Sequence, residues 1–347
     1  MTSTQFLPRC ALAALISLAA VAADEPPASA AKPKAAKPKF NVIQATDVKP
    51  IAIDGEHNGF PVMTRWKDQL WLAYRRAVAH VGTGDLILLR STDGEKWTEV
   101  RKFDMGSDDR NCQLLATPNR LFVYHGLALS RNDFKTYVSY TDDAEKWSEP
   151  QKCLETGFNL WKPIEHMGRF YANSHLKLDS GDSGPKRMSR LMTSTDGIKW
   201  EQVSIVRQGN WESETTFIFG ENEHLYALLR QKYGSVAGFI YESDPPYQTW
   251  TGKQVGQHFS GHCVREFRGV TYAFSRHYGE QSRTSTMIYT WDKGTLTPYA
   301  QTPLNPPKAD CGYCEAVEMG DDMFICFYSS HEGNAKIYTG RVPLKKS

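Results

Sequence analysis

Ser91-Thr92-Asp93-Gly94-Glu95-Lys96-Trp97 recurs as Thr141-Asp142-Asp143-Ala144-Glu145-Lys146-Trp147 and again as Ser194-Thr195-Asp196-Gly197-Ile198-Lys199-Trp200. A decayed fourth copy runs from Glu242-Ser243-Asp244 to Trp250. The tryptophans stand 50, 53 and 50 residues apart, and a fixed period of that size marks a repeat architecture. Ser, Thr and Asp side chains bond backbone N–H groups two residues on, and Gly tolerates positive φ, so each copy predicts a tight turn between strands. The tryptophan then lays a large apolar face on the layer beneath. These copies set the fold and carry no chemistry.

A strand pair precedes each turn. The first spans Pro61 to Arg75, and later ones centre on 113–125, 163–175, 216–230, 264–276 and 316–330. Each is a short β run, a polar turn and a second β run rich in aromatics. Helical periodicity is absent after residue 40. The chain is therefore expected to be all-β, a six-bladed β-propeller of four-stranded antiparallel blades. About 307 residues at about 50 per unit give six units, with Asn41–Ile53 pairing beside Lys336–Leu344 to close the ring.

The N-terminus predicts export. Arg9, the apolar run Ala11–Val21 and a small-residue site before Asp24 make residues 1–23 a secretory signal. Residues 24–40 form an Ala/Lys/Pro-rich tether, and 41–347 the propeller. The expected location is periplasmic or extracellular, with no transmembrane segment in the mature chain, because the apolar run is too short to span a bilayer. A net charge of +2 gives no sign of a nucleic-acid partner. Six cysteines survive signal removal, and their spacing does not assign pairs. Cys311-x-x-Cys314 has no second ligand pair at metal spacing, so neither a metal nor another cofactor is expected. The oligomeric state is left open.

First strands of a propeller converge on its axis, so residues at their starts should share one pocket. Those are His57/Asn58, Asp109/Arg110, Trp161/Lys162, Glu212/Glu214, Gly261/His262 and Asp310/Tyr313. Ends of second strands add Arg75, Arg76, His80, His125, His175, Arg230, Arg276, His277 and His331. Several arginines with few carboxylates point to an acidic ligand. Trp161 reads as a stacking platform for a sugar or as a packing residue.

At these residues the chain resembles the sialidase (neuraminidase) superfamily of six-bladed propellers. The turns are similar to that family's Asp-boxes, with Ser-x-Asp-Gly-x-x-Trp one residue tighter than Ser-x-Asp-x-Gly-x-Thr-Trp. The resemblance covers roughly residues 50–345. Glu214 and Arg230, sixteen residues apart, match the family's Glu and clamp Arg. Arg276 looks like the next clamp residue, and Gly312-Tyr313-Cys314-Glu315 is similar to the nucleophile segment. The resemblance thus implies Tyr313 as nucleophile, Glu214 as its partner, and a terminal acidic sugar as substrate. A neutral phenol approaches a carboxylate-bearing anomeric carbon without like-charge repulsion, and the Glu draws off its proton.

Two departures stand out. Asn58-Gly59-Phe60-Pro61 occupies the place of the family's Phe-Arg-Ile-Pro, so Arg75, Arg76 or Arg110 is needed to supply a guanidinium. The family's acid/base Asp has no clean counterpart, leaving Asp85 and, better placed, His80. Asp310 joins the arginines as a substrate contact. Three functions follow: a secreted retaining exo-glycosidase acting on sialic acid or a related sugar, a uronic-acid-directed glycosidase or lyase using His80, or a non-catalytic glycan-binding propeller.

Overall fold

Backbone pairing after residue 40 is almost wholly antiparallel, as the alternating aromatic runs predict. The computed structural model describes residues 41–345 except 131–132, 178–186, 210 and 232–237; the signal and tether read at 1–40 lie outside the described residues. Among the described residues the helical segments are two 3-10 turns, Glu221–Glu223 and Glu280–Ser282. No helix of the described residues is long and apolar enough to cross a membrane.

Three sheets have four strands each, opening at Phe158–His166, Glu212–Phe219 and Cys311–Met319. The last of these is completed by Thr46–Pro50, which pairs with Lys336–Pro343 and ties the start of the described chain to its end. A further sheet opens at Cys263–Phe267 and gains Ile43–Gln44 as a fifth, parallel strand. Six separate four-stranded units were expected, but hydrogen bonding gives five sheets. The difference arises at Gly84, which pairs in parallel with Asp108 and welds the meanders opening at His57–Trp66 and Asp108–Ala116 into one eight-stranded sheet. Gly84 has no side chain to prevent this: a Cβ there would lie 2.9 Å from Arg75 Nε.

The opening strands form a closed ring. His57–Trp66 touches Asp108–Ala116, and contact passes on through Phe158–His166, Glu212–Phe219, Cys263–Phe267 and Cys311–Met319 back to His57–Trp66. The arrangement is propeller-like.

The repeated turns interlock these layers. Ser91 Oγ accepts a bond from the Gly94 N–H (2.9 Å), and Asp93 Oδ1 accepts from the N–H groups of Glu95 (2.8 Å) and Lys96 (2.9 Å). Thr141/Asp143 and Ser194/Asp196 repeat the pattern. Gly94, Ala144 and Gly197 all take φ between 72° and 76°. In the decayed copy Ser243 instead donates to the Thr249 carbonyl (2.7 Å), because two prolines follow Asp244. Each turn packs on the preceding layer: Trp97 beside Phe324, Trp147 beside Trp71, Trp200 beside Phe122 and Trp250 beside Leu191.

The six cysteines among the described residues are buried free thiols, so Cys311 and Cys314 do not form a disulfide.

A Cβ on Gly94 would come within 2.8 Å of the Phe324 ring, whereas one on Gly320 (φ 63°) meets nothing within 4 Å. Both Gly94→Ala and Gly320→Ala place alanine in the left-handed region, at a cost above about 0.4–1 kcal/mol. Urea unfolding should show Gly94→Ala as the more destabilised of the two by a further ~1 kcal/mol or more, the cost of overpacking the seam.

Candidate active site

Five of the six opening strands break register near their starts, and Cys263–Phe267 pairs without a break. The shifts fall between Gly59 and Val62, Arg110 and Gln113, Trp161 and Ile164, Glu212 and Thr215, and Gly312 and Glu315. Bulges of this kind bend the strand and re-aim a side chain. Phe60 (φ 58°), Asn111 (φ 56°), Lys162 (φ 45°) and Tyr313 (φ 53°) sit at these breaks in left-handed conformations, which non-glycine residues adopt only at a cost. Phe60, Asn111 and Tyr313 all line one cavity of about 230 Å³, together with Glu214, Arg230 and Arg276. That is below the roughly 300–1,000 Å³ of sites for drug-sized ligands, so it suits a small one.

Tyr313 is the buried centre of this cavity. Its hydroxyl donates to Glu214 Oε1 at 3.2 Å. The ring packs against Phe60, Trp161 and Tyr328, with centroids 4.9, 5.5 and 5.9 Å away. Gly261 is required beneath it, since a Cβ there would lie 2.5 Å from Tyr313 Cδ2. Glu214 has two further partners: Arg230 Nη1 at 2.7 Å on Oε1 and the Gly261 N–H at 2.8 Å on Oε2. Burial alone would raise the Glu214 pKa, but Arg230, His262, the Gly261 N–H and His175 outweigh it and hold the carboxyl well below its usual range. Burial, reinforced by Glu214, pushes the Tyr313 phenol up. The pair is thus a carboxylate accepting from a neutral phenol.

Five cationic residues line the cavity against that one carboxylate: Arg110, Lys177, Arg187, Arg230 and Arg276. Their commitments differ. Arg276 donates to the Cys311 carbonyl (2.5 Å) and Tyr328 Oη (2.8 Å) and pairs with Asp310 Oδ1 (3.0 Å). Arg110 pairs with Asp108 (3.1 Å) and donates to the His80 carbonyl (3.2 Å). Arg187 donates to the Leu176 carbonyl (3.1 Å) and lies over the Trp211 ring. Arg230 keeps a buried Nε without a hydrogen-bond partner among the described residues, as do Arg110 Nε, Asn111 Nδ2 and Ser260 Oγ. Four orphaned polar atoms on the lining of one cavity are the mark of a site built for a polar ligand.

Next to it along the chain is a charge cluster in which Lys162 and Glu315 are buried and Arg265 is partly exposed. Lys162 and Arg265 share Glu315, with Arg265 Nη2 at 2.6 Å from Oε2 and Lys162 Nζ on Oε1. Glu315 is two residues from Tyr313, so this cluster anchors the strand that carries the phenol.

The structure brings Tyr313, Glu214, Arg230, Arg276, Arg110 and His80 to one cavity. It places five other expected residues elsewhere. Arg75 is fully buried away from the cavity lining, spent on Asp108 (2.8 Å) and the carbonyls of Ala79 and Gly82. Arg76 points outward, 3.7 Å from Glu99. Asp85 is opposite Arg76 in the sheet and bonds Lys102 (3.3 Å). Trp161 is a buried packing residue behind Tyr313, not a sugar platform. Asp310 stands outside the cavity lining, its carboxylate engaged by Arg276, Tyr328 and His80. The sequence reading missed Phe60, Asn111, Lys177, Arg187, Ser260 and Tyr328. A signal for two of them exists: Phe60, Asn111 and the bulge residue Lys162 follow one another at intervals of 51.

No protein-family model and no curated protein matches this chain. Solved structures do. A protein of unknown function from Dyadobacter fermentans superposes with a TM-score of 0.70 at 17% identity, over 86% of this chain and 99% of that one. The Trypanosoma rangeli sialidase in complex with the inhibitor DANA gives 0.66 at 12% identity, over 87% of this chain and 58% of the sialidase. Penicillium chrysogenum α-L-arabinanase complexed with arabinobiose gives 0.58 at 11% identity, over 87% of this chain and 98% of that one. The chain thus spans under three fifths of the sialidase's length. At these identities the likeness is one of fold: an all-β, propeller-like arrangement.

Two outcomes follow from the charges. Glu315→Gln leaves Lys162 and Arg265 facing each other without their shared anion, and urea unfolding should show a loss of roughly 3–5 kcal/mol. Glu214, whose folded pKa is depressed, contributes stability that is complete above its unfolded pKa of about 4.3 and declines as the pH falls below it. The stability gap between the protein and Glu214→Gln should therefore be flat from pH 7 to about 5.5 and shrink toward pH 3.

Proposed function

We propose that this chain is an exported, retaining exo-glycosidase acting on a terminal acidic sugar, sialic acid or a close relative, through a Tyr313 nucleophile. One observation carries the reading: a buried phenol bonded to a carboxylate in a small cavity lined by cations. Counting the eight-stranded sheet as two blades makes the scaffold a six-bladed propeller, its turns Asp-boxes, with residues 1–23 directing export.

In the first step Tyr313 Oη attacks the anomeric carbon as the glycosidic C–O bond breaks. The phenol proton goes to Glu214, and the departing oxygen takes a proton from an acid at the rim. Water then attacks the same carbon and gives its proton to that rim group, while the Tyr313 C–O bond breaks and Glu214 returns the proton to the phenol. In the resting site the first transfer is uphill, since Arg230 holds Glu214 low and burial holds the phenol high. A substrate carboxylate on Arg230 relieves this. It shares the guanidinium charge, taking the unpartnered Nε, and so raises the proton affinity of Glu214 as the reaction begins.

A uronic-acid-directed glycosidase or lyase is the second reading. The commitment of Arg75 to Asp108 and of Arg276 to Asp310 favours it, because among the described arginines that line the cavity Arg230 and Arg110 are the ones with a buried nitrogen that lacks a hydrogen-bond partner.

A fluorogenic N-acetylneuraminic acid ketoside should be hydrolysed, and Tyr313→Phe should lower kcat/KM by about 10³-fold or more, with Arg230→Gln acting chiefly on KM. Turnover that survives Tyr313→Phe overturns the nucleophile assignment. A wild-type chain inactive on the ketoside but active on a uronic-acid glycan establishes the second reading instead.

A further inference from the structure

We propose that His80 and Asp310 form a proton-transfer dyad at the cavity rim, in which His80 Nε2 exchanges a proton with the leaving oxygen and Asp310 positions the imidazole. The inference rests on the glycosidase reading for the reaction, and on geometry alone for the dyad.

His80 stands on the loop between the strands Gln69–Ala77 and Gly84–Ser91 and lines the same cavity as Tyr313. Its ring is set edge-on against Phe60 (5.1 Å) and His57 (5.4 Å). Phe60 also touches Tyr313, so one aromatic packs against both proton-handling groups. His80 Nδ1 lies 3.3 Å from Asp310 Oδ2. A carboxylate on Nδ1 selects the tautomer with the proton there, and leaves Nε2 as the atom that gives and takes protons.

Asp310 is built to stay anionic and still. Tyr328 Oη donates to Oδ2 (2.8 Å), Arg276 Nη2 meets Oδ1 (3.0 Å), and the Asp310 N–H is held by Ser330 Oγ (2.8 Å). Partial burial would raise the carboxyl pKa, but His80, Arg276 and Tyr328 pull it down to about 2. The lining arginine Arg276 is thereby turned from substrate clamp to buttress of the dyad. Asp85, the other acid suggested by the sequence, bonds Lys102 instead.

The proton count closes. As imidazolium, His80 gives its Nε2 proton to the departing oxygen while the glycosidic bond breaks, and Asp310 keeps the Nδ1 proton in place. The neutral ring then accepts a proton from the attacking water at Nε2. Both oxygens of Asp310 remain deprotonated throughout.

The test has two arms. In ¹⁵N NMR of the full chain, neutral His80 should be the Nδ1–H tautomer. Asp310→Asn, which can turn its amide NH₂ toward the ring, should convert it largely to Nε2–H. In kinetics, Asp310→Asn and His80→Gln should each lower kcat/KM, which reports the first bond cleavage, for an alkyl acidic glycoside by about 10²–10⁴-fold. For the matching aryl glycoside, whose phenol leaves without acid help, kcat/KM should fall less than tenfold. A wild-type His80 that is Nε2–H overturns the dyad whatever the enzyme cleaves. Equal losses on both leaving groups, with the tautomer as expected, reduce Asp310 to a structural anchor and overturn the acid role. A failure of the glycosidase reading looks different: the wild-type chain cleaves neither glycoside while the tautomer result stands.

Discussion

The register break in the opening strands is the constraint on which the rest depends. An extra residue near the start of five opening strands interrupts the ladder, which resumes beyond it, and turns a side chain away from the sheet. Phe60, Asn111 and Tyr313 reach the cavity this way, and Lys162 the charge cluster around Glu315. The left-handed backbone at each is strained, and it persists because the layers on both sides leave no alternative. Gly261 shows how tight the fit is, for any side chain there would displace the Tyr313 ring.

Charge does the remaining work. Glu214 ties its own strand to Tyr313, to Arg230 on the next strand and to the Gly261 N–H just before the strand Cys263–Phe267. Glu315 does the same with Lys162 and Arg265. Buried ion clusters of this sort contribute little net stability, because desolvation offsets attraction, but removing one member leaves an uncompensated charge. They hold geometry rather than supply free energy. At the rim Asp310 plays the comparable part for His80 and Arg276.

Much of this was legible in the sequence. The turn repeat announced strands and seams, since a Ser/Thr and an Asp two residues on satisfy the turn's own backbone N–H groups wherever they occur. Glu214 and Arg230 were readable as neighbours, because sixteen residues is one strand, a turn and a strand back. The pairing of Thr46–Pro50 with Lys336–Pro343 was expected on a different ground, that a ring of repeats must close on itself. Arg75 was not readable. It ends a strand as the pocket arginines do, yet Gly84 lets the next meander close in, and Asp108 captures it. Asp85 and Trp161 failed similarly, one by facing Lys102 and the other by lying behind Tyr313.

By itself, then, the sequence determined the repeating unit, its all-β character and which titratable types crowd the ends of its strands. Those properties are written in period, turn chemistry and alternation, all short-range. Only the tertiary structure decided which guanidiniums reach the cavity and which partners each one takes, where the register breaks fall, and that Asp310 faces His80 across 230 residues of chain. Those outcomes turn on contacts of a few ångströms between layers distant in sequence, and no local pattern encodes them.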